Sequence, residues 1–298
     1  MMARRSGAAP ASGPKQPGGV PASPMSEDGE TQQLSPAWQE VECRRIGRTP
    51  PATVVAEEIP VGLLYDGVPY AVMMATPQDL EDFAFGFSRT EGIIQAAADI
   101  RSLATHPSTD GIELEIRLAP ERLHAFLARH RVRSLRGHTS CGLCGVEDVA
   151  DAQIETPRAS PGIPFTPSAM RHALAGLFEK QSLNKLTHAT HAAAWATPEG
   201  ELVLLREDVG RHNALDKLIG ATLRQGIDVS AGFCVITSRC SYEMVQKALM
   251  AQMPAIVAIS GATALAIRTA RAAGLTLVAV ARDDGQIVYV DAGRVQDD

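Results

Sequence analysis

The second half of the chain constrains the fold most strongly, because strands and helices alternate there in a regular pattern. Three apolar runs of strand length, ELVLL, FCVIT and AIVAI, are each followed by an amphipathic segment of helical length. A fourth run, LTLVAVA, leads into a last strand, QIVYV. Such alternation is typical of α/β proteins with a parallel sheet. We therefore predict an α/β domain over residues 161–298, with Asn213 and Ser241 as N-caps of two of its helices.

Four polar segments follow directly on the predicted strands, at their carboxyl ends. They are REDVGRHN (206–213), TSRCS (237–241), SGAT (260–263) and ARDDG (281–285). In open parallel sheets this edge binds ligands, because loop amides and helix N-termini converge there. The basic side chains at this edge favour a phosphorylated, nucleotide-like ligand; they are Arg206, Arg211, His212, Arg239 and Arg282. Alternatively, the arginines pair with neighbouring carboxylates and tie the loops together, the candidates being Glu207, Asp208, Asp283 and Asp284.

The first half of the chain predicts a smaller α+β lobe over residues 36–135. An Asp66-Gly67 turn between two strand-like runs indicates a hairpin. Apolar residues spaced as on one helix face follow in TPQDLEDFAFGF, with Thr76 as the expected N-cap. GIELEIRL alternates like a half-buried strand, and PERLHAFLARHR predicts a short helix. Residues 1–35 are crowded with Gly, Pro, Ala and Ser, a composition that predicts a disordered tail.

Cys141 and Cys144 form a C-x-x-C pair within residues 136–160, which we predict to be a mobile linker loop because of its glycines. Such a pair can hold a metal, shuttle electrons as a disulfide, or carry sulfur on one thiolate. Structural zinc needs about four ligands, and the chain has one pair plus distant single cysteines, so we expect no structural zinc. The zinc deaminase signature requires H-x-E upstream and a proline before the pair, and the residues leading up to this pair provide neither.

A run of basic residues around the start of this segment would lower the pKa of a neighbouring thiol and hold it as the nucleophilic thiolate. These residues are Arg131, Arg133, Arg136 and His138. A solvated basic face is the alternative explanation of the run. For the other cysteines, Cys43, Cys234 and Cys240, we expect packing roles, since free cysteine usually behaves as a small apolar residue.

Charge and hydrophobicity limit the classes of partner. With 34 acidic and 28 basic residues, the formal net charge of −6 argues against a general nucleic-acid or membrane-surface binder. No apolar run approaches the ~20 residues that a transmembrane helix needs. The few cysteines are odd in number and follow no signal peptide, which indicates a reducing compartment. We expect a soluble cytoplasmic protein that acts on neither nucleic acid nor membranes.

Four segments together resemble one family: SCGLCG, REDVGRHNALDKLIG, TSRCSYEMVQKA and TPQDLEDFAFGFSRTEGII. They are similar to the formate dehydrogenase accessory sulfurtransferases, over residues 50–295. The resemblance implies a three-layer α/β core like that of cytidine deaminases, a homodimer, and a cytoplasmic location. It implies that a cysteine desulfurase loads a persulfide on the C-x-x-C pair and that formate dehydrogenase is the final recipient. The sulfur acceptor would be the molybdenum cofactor in its bis-molybdopterin guanine dinucleotide form, of which GDP is the expected mimic.

By position, Cys141 matches the persulfide-bearing cysteine of the family and Cys144 its partner in the pair. The stretch that the family uses for cofactor binding corresponds here to Val280, Ala281, Arg282, Asp283, Asp284 and Gly285. The family usually has Phe-x-Arg where this chain has Val-Ala-Arg, which leaves the aromatic contribution open. Arg239, Arg211 and His212, from the strand-end segments, are the further candidates for holding cofactor phosphates.

Two other functions are compatible with the sequence. A thiol-disulfide oxidoreductase would use the same cysteine pair but would have no reason to bind GDP. A non-catalytic chaperone of the molybdenum cofactor would bind the cofactor without needing either cysteine.

Overall fold

The computed structural model describes residues 35–42, 52–134, 156–282 and 285–298, so residues 1–34 of the predicted tail lie outside it. The strands of the first half are β1 (Trp38–Glu42), β2 (Ala52–Ala56), β3 (Ile59–Tyr65), β4 (Val68–Ala75), β5 (Ile100–Ser108) and β6 (Gly111–Leu118). The helices there are α1 (Leu80–Thr90) and α2 (Pro120–Ser134), with a 3₁₀ turn at Ala97–Asp99. Both predicted helices and the predicted strand GIELEIRL are therefore confirmed.

The first half builds a four-stranded sheet in the order β4–β3–β6–β5. Strands β3 and β4 form the predicted antiparallel hairpin, β3 runs parallel to β6, and β5 is antiparallel to β6. The hairpin turn has Asp66 and Gly67 at φ of 49° and 79°, the left-handed pair that an Asp-Gly turn supplies. Strands β1 and β2 form a separate antiparallel pair.

Alternate residues of the central strands of this sheet bury against α1. From the strands they are Val61, Leu63, Tyr65, Ile112, Leu114 and Ile116, and from α1 they are Leu80, Phe83, Ala84 and Phe87. The period of two in the strands and the i, i+3, i+4, i+7 spacing in the helix therefore produce one shared core, as the sequence predicts.

Strands and helices alternate from β8 to β11 in the second half of the chain. Its strands are β7 (His191–Ala196), β8 (Leu202–Asp208), β9 (Phe233–Ile236), β10 (Ala255–Ala258), β11 (Thr276–Arg282) and β12 (Gly285–Val290). Its helices are α3 (Pro167–Lys180), α4 (Ser182–Thr187), α5 (Arg211–Arg224), α6 (Tyr242–Met250) and α7 (Ala264–Ala273).

These strands form one six-stranded sheet in the order β8–β7–β9–β10–β11–β12. Strands β9, β10 and β11 are parallel as predicted, but β7 is antiparallel to both of its neighbours, β8 and β9. The prediction of a parallel sheet is therefore confirmed for the direction of β8, β9, β10 and β11, but β7 separates β8 from β9, and β7 and β12 run antiparallel to their neighbours. The Ala-rich segment of β7 is buried along almost its whole length, which suits a central strand.

The four strands of common direction define two edges of this sheet. The carboxyl edge is where the four strands of common direction end, at Asp208, Ile236, Ala258 and Arg282. The amino edge is where the same strands begin, at Leu202, Phe233, Ala255 and Thr276.

Helices cover both faces of the six-stranded sheet. Cys234 and Ile236 of β9 point into a core shared with α5, α6 and α7, whereas Phe233 and Val235 point into a core shared with α3. The α/β class and its three layers of helix, sheet and helix are thus confirmed.

Helices α1 and α5 cross in close contact through two glycines. A Cβ atom at Gly86 would lie 1.7 Å from the carbonyl oxygen of Asp216, and one at Gly220 would lie 1.8 Å from that of Asp82. Because no side chain fits at either position, the backbones themselves are in contact, and α1 joins the core of the first sheet to the helical layer of the second.

Two predicted N-caps lie inside the fold instead of at helix starts. Helix α1 begins three residues later than its predicted first turn, after Asp79, and α5 begins two residues before Asn213, after Gly210. Thr76 and Asn213 instead use their polar groups for contacts between the two halves of the chain. The prediction of Ser241 as the N-cap of α6 is confirmed.

Candidate functional site

Hydrogen bonds join three of the predicted strand-end segments at the carboxyl edge. The amide of Cys240 donates to the carbonyl of Gly261, and the amide of Thr263 donates to the carbonyl of Cys240, both at 3.1 Å. The amide of Val280 donates to the carbonyl of Ser260 at 3.1 Å. The loops that follow β9 and β10 therefore lie side by side, next to the end of β11, as expected where parallel strands end at one edge of a sheet.

The fourth segment, residues 206–213, reaches the same edge on the other side of β7. His191, the first residue of β7, pairs in register with Asp208, the last residue of β8. On the opposite side of β7, the Thr237 hydroxyl accepts a hydrogen bond from the amide of Ala192 (2.9 Å) and lies 3.5 Å from His191 Nδ1. His191 therefore stands between the segment 206–213 and the other three.

Arg211 and His212 are the first two residues of α5, and both are half-buried. The Nε atom of Arg211 and the Nε2 atom of His212 are buried and have no hydrogen-bond partner among the described residues. Buried polar atoms in native structures are almost always paired, so two adjacent exceptions at a helix N-terminus indicate groups that are available to a ligand.

Burial, together with the positive charges of Lys247 and Arg211, lowers the pKa of His212 to about 4, and Glu243 opposes this shift. Its imidazole is therefore neutral at pH 7. Of the two residues, Arg211 supplies the positive charge and His212 supplies a hydrogen-bonding group that does not change its charge near neutrality.

His191 and Glu243 also belong to this site, although the sequence analysis did not include them. Burial and the Arg211 guanidinium lower the pKa of His191, against the opposing charge of Asp208. Burial alone would raise the pKa of Glu243, but the hydrogen bond from the Ser241 hydroxyl (2.6 Å) and nearby positive groups lower it overall. We call Arg211, His212, His191 and Glu243 the strand-end cluster.

The remaining predicted binding residues occupy different environments. Arg239 is exposed, Gly285 is exposed at the start of β12, and the side chain of Ala281 is buried in the core on the α3 face. Val280 has a φ of 53°, a left-handed conformation that is unfavourable for a β-branched residue. Such strain tends to occur at functional positions. The side chain of Arg282, together with Asp283 and Asp284, lies outside the described residues.

Arg206 does not face the carboxyl edge as predicted. Its guanidinium contacts the carboxylate of Asp82 on α1 at 2.7–2.8 Å, and Asp82 also binds Arg224 of α5. This partner comes from the other half of the chain and was not among the carboxylates that the sequence analysis considered. Arg206 therefore connects α1 to β8 and is not part of the candidate site.

The two cysteines that the structure describes, Cys234 and Cys240, are fully buried. Burial raises the pKa of the Cys240 thiol to about 12 and raises that of Cys234 further. Both are packing residues as predicted, since a buried neutral thiol is a poor nucleophile. Cys43, Cys141 and Cys144 lie outside the described residues, as does the predicted linker up to residue 155.

The chain enters and leaves the C-x-x-C segment near the amino edge. Before it, Arg129 of α2 donates to the carbonyl of Gly92 at 3.1 Å. A Cβ atom at Gly92 would lie 3.2 Å from the side chain of Met250, the last residue of α6, which precedes the start of β10. After it, the amide of Ala159 donates to the carbonyl of Ala273 at 3.0 Å. Arg294, which is 6% exposed, then fixes the following residues through four hydrogen bonds, to the carbonyls of Ser160, Pro161 and Gly274 and to the Thr276 hydroxyl.

Two cavities lie away from the strand-end cluster. A small one of about 40 Å³ lies between β4, α1 and α2, and an open one of about 500 Å³ lies at the amino edge beside Phe165, Ser168 and Glu199. In the described ranges, no three His, Cys, Asp or Glu side chains are grouped so that they could hold a metal ion. None of the helices described there is long and apolar enough to cross a membrane.

Comparisons with known proteins give a consistent result. Residues 56–296 match the model of the FdhD/NarQ family. A protein of Xanthomonas euvesicatoria pv. vesicatoria named sulfur carrier protein FdhD is 50% identical over 236 residues, which are 79% of this chain and 83% of the relative. A protein of the same name from Bordetella petrii is 41% identical over 251 residues, 84% of this chain and 90% of the relative.

A solved structure also matches. It is a crystal structure from Desulfotalea psychrophila, provisionally described as a formate dehydrogenase accessory protein, with a TM-score of 0.66 and 23% identity. The match covers 87% of this chain and 98% of that one. At this level of identity the structure supports the fold alone.

Proposed function

The chain belongs to the FdhD/NarQ family, and on this basis we propose that it is a sulfur carrier that serves formate dehydrogenase. In this proposal a cysteine desulfurase delivers sulfur as a persulfide to Cys141. The chain then transfers the sulfur to the molybdenum cofactor in its bis-molybdopterin guanine dinucleotide form, before the cofactor enters formate dehydrogenase. The names of the relatives, which are 41% to 50% identical to this chain, support the sulfur-carrier role.

The observation that carries the proposal is the burial of both described thiols. A sulfur carrier needs a thiolate that can meet a protein donor, and Cys234 and Cys240 are each 0% exposed with a raised pKa. The acceptor thiol must then come from Cys43, Cys141 and Cys144. Cys43, although Arg44 and Arg45 follow it, lies outside residues 56–296, which match the family model. The C-x-x-C pair lies within that range and also has a basic neighbourhood in the sequence, which favours the thiolate.

Loading is a thiol exchange on a persulfide. The Cys141 thiolate attacks the outer sulfur of the donor persulfide, the sulfur–sulfur bond of the donor breaks, and the donor cysteine leaves as a thiolate. Attack by Cys144 on the inner sulfur of the loaded Cys141 would release the outer sulfur as hydrosulfide and leave a Cys141–Cys144 disulfide. A protective role for Cys144 is the alternative.

The strand-end cluster supports a phosphorylated cargo at the carboxyl edge. Arg211 offers a buried guanidinium nitrogen without a partner, and His212 offers a neutral ring nitrogen beside it. Phosphate oxygens accept hydrogen bonds from both kinds of group. Exposed Arg239, the strained backbone at Val280, and the segment from Ala281 to Gly285 would complete the contacts to the cargo.

The proposed cargo site and the anchors of the C-x-x-C segment lie at opposite edges of the sheet. Strands β9 and β10 each have four residues, which separate the edges by roughly 13 Å of strand. Helix α2 ends at Ser134, and the seven peptide units from there to Cys141 can span up to about 25 Å. Covalent length therefore allows Cys141 to serve either edge.

Mass spectrometry after incubation with a cysteine desulfurase and cysteine tests the loading step. We expect wild-type protein to gain one sulfur, Cys141→Ala to gain none, and the matched control Cys43→Ala to gain one as wild type does. Retention of the extra sulfur by Cys141→Ala would move the role to another cysteine and contradict the proposal.

Calorimetry with GDP tests the cargo site separately. We expect Arg282→Ala to weaken GDP binding while it leaves sulfur loading unchanged, and Cys141→Ala to do the reverse. Unchanged GDP affinity in Arg282→Ala would remove that residue from the site.

Complementation of a formate dehydrogenase maturation defect separates the alternatives. Survival of function without both Cys141 and Cys144 would indicate a non-catalytic chaperone. Rapid reduction of a model disulfide by a protein that does not bind GDP would indicate a thiol-disulfide oxidoreductase. The homodimer belongs to the same proposal, and light scattering on the purified protein tests it.

A further inference from the structure

Thr76 lies in the loop between β4 and α1, yet its amide, hydroxyl and carbonyl each bind a residue of β8, of α5 or of the turn between them. Its side chain is fully buried. The amide of Thr76 donates to Asp208 Oδ2 (3.0 Å), its hydroxyl accepts from the amide of Val209 (3.1 Å), and its carbonyl accepts from Lys217 Nζ (2.9 Å). A loop more than 130 positions earlier in the chain thus holds the residues that immediately precede Arg211.

Asp208 connects Thr76 to the first turn of α5. One carboxylate oxygen accepts from Thr76 and from Lys217 Nζ, which lies 2.6 Å away, and both charged side chains are 0% exposed. The other oxygen accepts from the amide of Gly210 (2.8 Å) and from Asn213 Nδ2 (3.0 Å). All five residues therefore form one buried network without an unpaired charge.

A buried ion pair of this kind is weak evidence for stability. The cost of removing both charges from water offsets much of their attraction, and apolar replacements are often as stable. What the network does provide is geometry, because each donor and acceptor fixes the direction of its partner. The residues whose direction it fixes are those that lead into Arg211 and His212.

No hydrogen bond within the described residues orients Arg211 at Nε or His212 at Nε2. Their Nε and Nε2 atoms are buried and lack hydrogen-bond partners, so these contacts do not orient the two side chains. The orientation of the two side chains depends instead on the backbone at the start of α5. The buried network fixes that backbone through its hydrogen bonds to the preceding residues 208–210.

We propose that Thr76, acting through Asp208 and Lys217, is a positioning residue that aims Arg211 and His212 at the anionic ligand of the carboxyl edge. The inference rests on the proposed function for the identity of that ligand. It extends the site to the loop between β4 and α1, in the half of the chain that carries the four-stranded sheet. The first half of the chain then contributes to ligand binding without touching the ligand.

Thr76→Val tests the inference, because it keeps the shape of the side chain and removes the acceptor of the Val209 amide. The matched control is Thr90→Val. Thr90 is 3% exposed and its hydroxyl donates to a buried carboxylate of α5, Asp216, at 2.8 Å, but it lies at the other end of α1. Thr76→Val loses the hydrogen bond from the Val209 amide, and Thr90→Val loses two hydrogen bonds between the halves, since the Thr90 hydroxyl also accepts from Lys247 Nζ at 3.1 Å.

We expect Thr76→Val to weaken GDP binding about tenfold in calorimetry, the effect of about one misplaced hydrogen bond. Thr76→Ser should restore the affinity to within about twofold, and Thr90→Val should stay within the same range at a comparable loss of stability in urea. Wild-type affinity in Thr76→Val, or an equal loss in Thr90→Val, would overturn the inference. If Thr76→Val does not fold, Thr76→Ala removes the same hydroxyl and carries the same expectations.

A measurement without ligand separates this inference from the proposed function. Nuclear magnetic resonance of the His212 imidazole reports its titration midpoint, which we expect to move upward in Thr76→Val. The control for this measurement is Tyr65→Phe, which loses one buried hydrogen bond with the Ser88 hydroxyl (2.8 Å) and should leave the midpoint in place. Thr90→Val does not serve here, because the Thr90 hydroxyl binds Lys247, whose charge lowers the pKa of His212. An unchanged midpoint in Thr76→Val would refute the positioning role even in a protein that binds GDP. Failure of wild-type protein to bind GDP, with the midpoint shifted in Thr76→Val, would instead refute the choice of ligand.

Discussion

The carboxyl and amino edges of the six-stranded sheet satisfy their polar groups in different ways. At the amino edge, Arg294 is buried and makes four hydrogen bonds to backbone carbonyls and a hydroxyl. At the carboxyl edge, Arg211, His212 and Gln286 each have a buried side-chain nitrogen without a partner among the described residues. The Arg294 guanidinium at the amino edge is thus hydrogen-bonded at every nitrogen within the fold, whereas Arg211 at the carboxyl edge has a buried nitrogen without a partner.

The difference separates anchoring from binding. A donor whose partners belong to the fold stabilises the fold, and Arg294 accordingly holds the chain where it returns from the C-x-x-C segment. A buried donor without a partner costs free energy until a ligand supplies the acceptor. The larger cavity lies at the amino edge, but Ser168 in its wall already donates to Asp298. Unpaired side-chain nitrogens therefore mark the binding edge better than cavity volume does. At the amino edge the buried group without a partner among the described residues is a hydroxyl, that of Ser160.

The largest expected effect is a loss of stability from a substitution at the amino edge. Arg294→Met should lower the free energy of unfolding by roughly 3–5 kcal/mol, because buried carbonyls lose a charged donor. GDP affinity under native conditions should not change. Urea denaturation measures the first quantity and calorimetry the second, with Arg268→Met on the exposed face of α7 as the control. A loss of GDP affinity in Arg294→Met would show that the two edges are coupled.

Arg211→Met tests the opposite pattern at the carboxyl edge. We expect GDP affinity to fall by roughly tenfold or more, since hydrogen bonds to charged groups contribute about 1.5–3 kcal/mol. Stability should stay within about 0.5 kcal/mol, because the Nε atom has no partner to lose. Arg239→Met is the control, and its smaller effect on affinity should reflect the exposure of Arg239. A large loss of stability in Arg211→Met would place this arginine among the anchoring residues.

His212 gives the carboxyl edge a pH dependence. Its folded-state pKa of about 4 lies below that of the unfolded chain, about 6.5, so between these values the unfolded state binds more protons. Stability should therefore decrease as the pH falls from about 6.5 to about 4. His212→Gln should remove this part of the slope, and His172→Gln, at the amino edge, should keep it. Urea denaturation midpoints measured between about pH 4 and about pH 6.5 test this expectation. An identical dependence of stability on pH in wild type and His212→Gln would contradict the lowered pKa of His212.

Ser160→Ala gives the smallest effect and sharpens the comparison at the amino edge. The Ser160 hydroxyl is buried without a partner, so its removal should change stability by less than about 0.5 kcal/mol. Thr276→Val, which removes an acceptor of both Arg294 and the Ala292 amide, should cost about 1–2 kcal/mol. Equal losses in the two variants would show that hydrogen-bond pairing does not distinguish these sites.

Local patterns in the sequence predict much of the fold. The Asp66-Gly67 turn, the buried face of α1, and the strands and helices from β8 to β12 follow from spacing within one segment, whereas α3, α4 and β7 were not predicted. The polar segments at the carboxyl edge follow as well, because β9 to β11 share one direction. The placement of Cys141, Cys144, Asp283 and Asp284 stays a prediction.

What the sequence could not predict depends on contacts between distant segments. The insertion of β7 beside β8 brings His191 to the site, and no periodicity within β7 shows its antiparallel course. Arg206 is bound to Asp82, a residue 124 positions away, so carboxylates near it in the sequence were the wrong candidates. Thr76 has the residue type of an N-cap, but its polar groups bind the second half of the chain.

The crossing of Gly86 and Gly220 has a practical consequence for protein engineering. Expressing residues 161–298 as an independent fragment would strip α5 of the helix that touches its backbone. The buried ammonium and carboxylate of Lys217 and Asp208 would then meet solvent without their partner loop. Chimeras with relatives should accordingly exchange α1 and α5 together. If only one of the two helices were exchanged and the new helix carried a Cβ atom at position 86 or 220, that atom would collide with the backbone of the other helix and force the two apart.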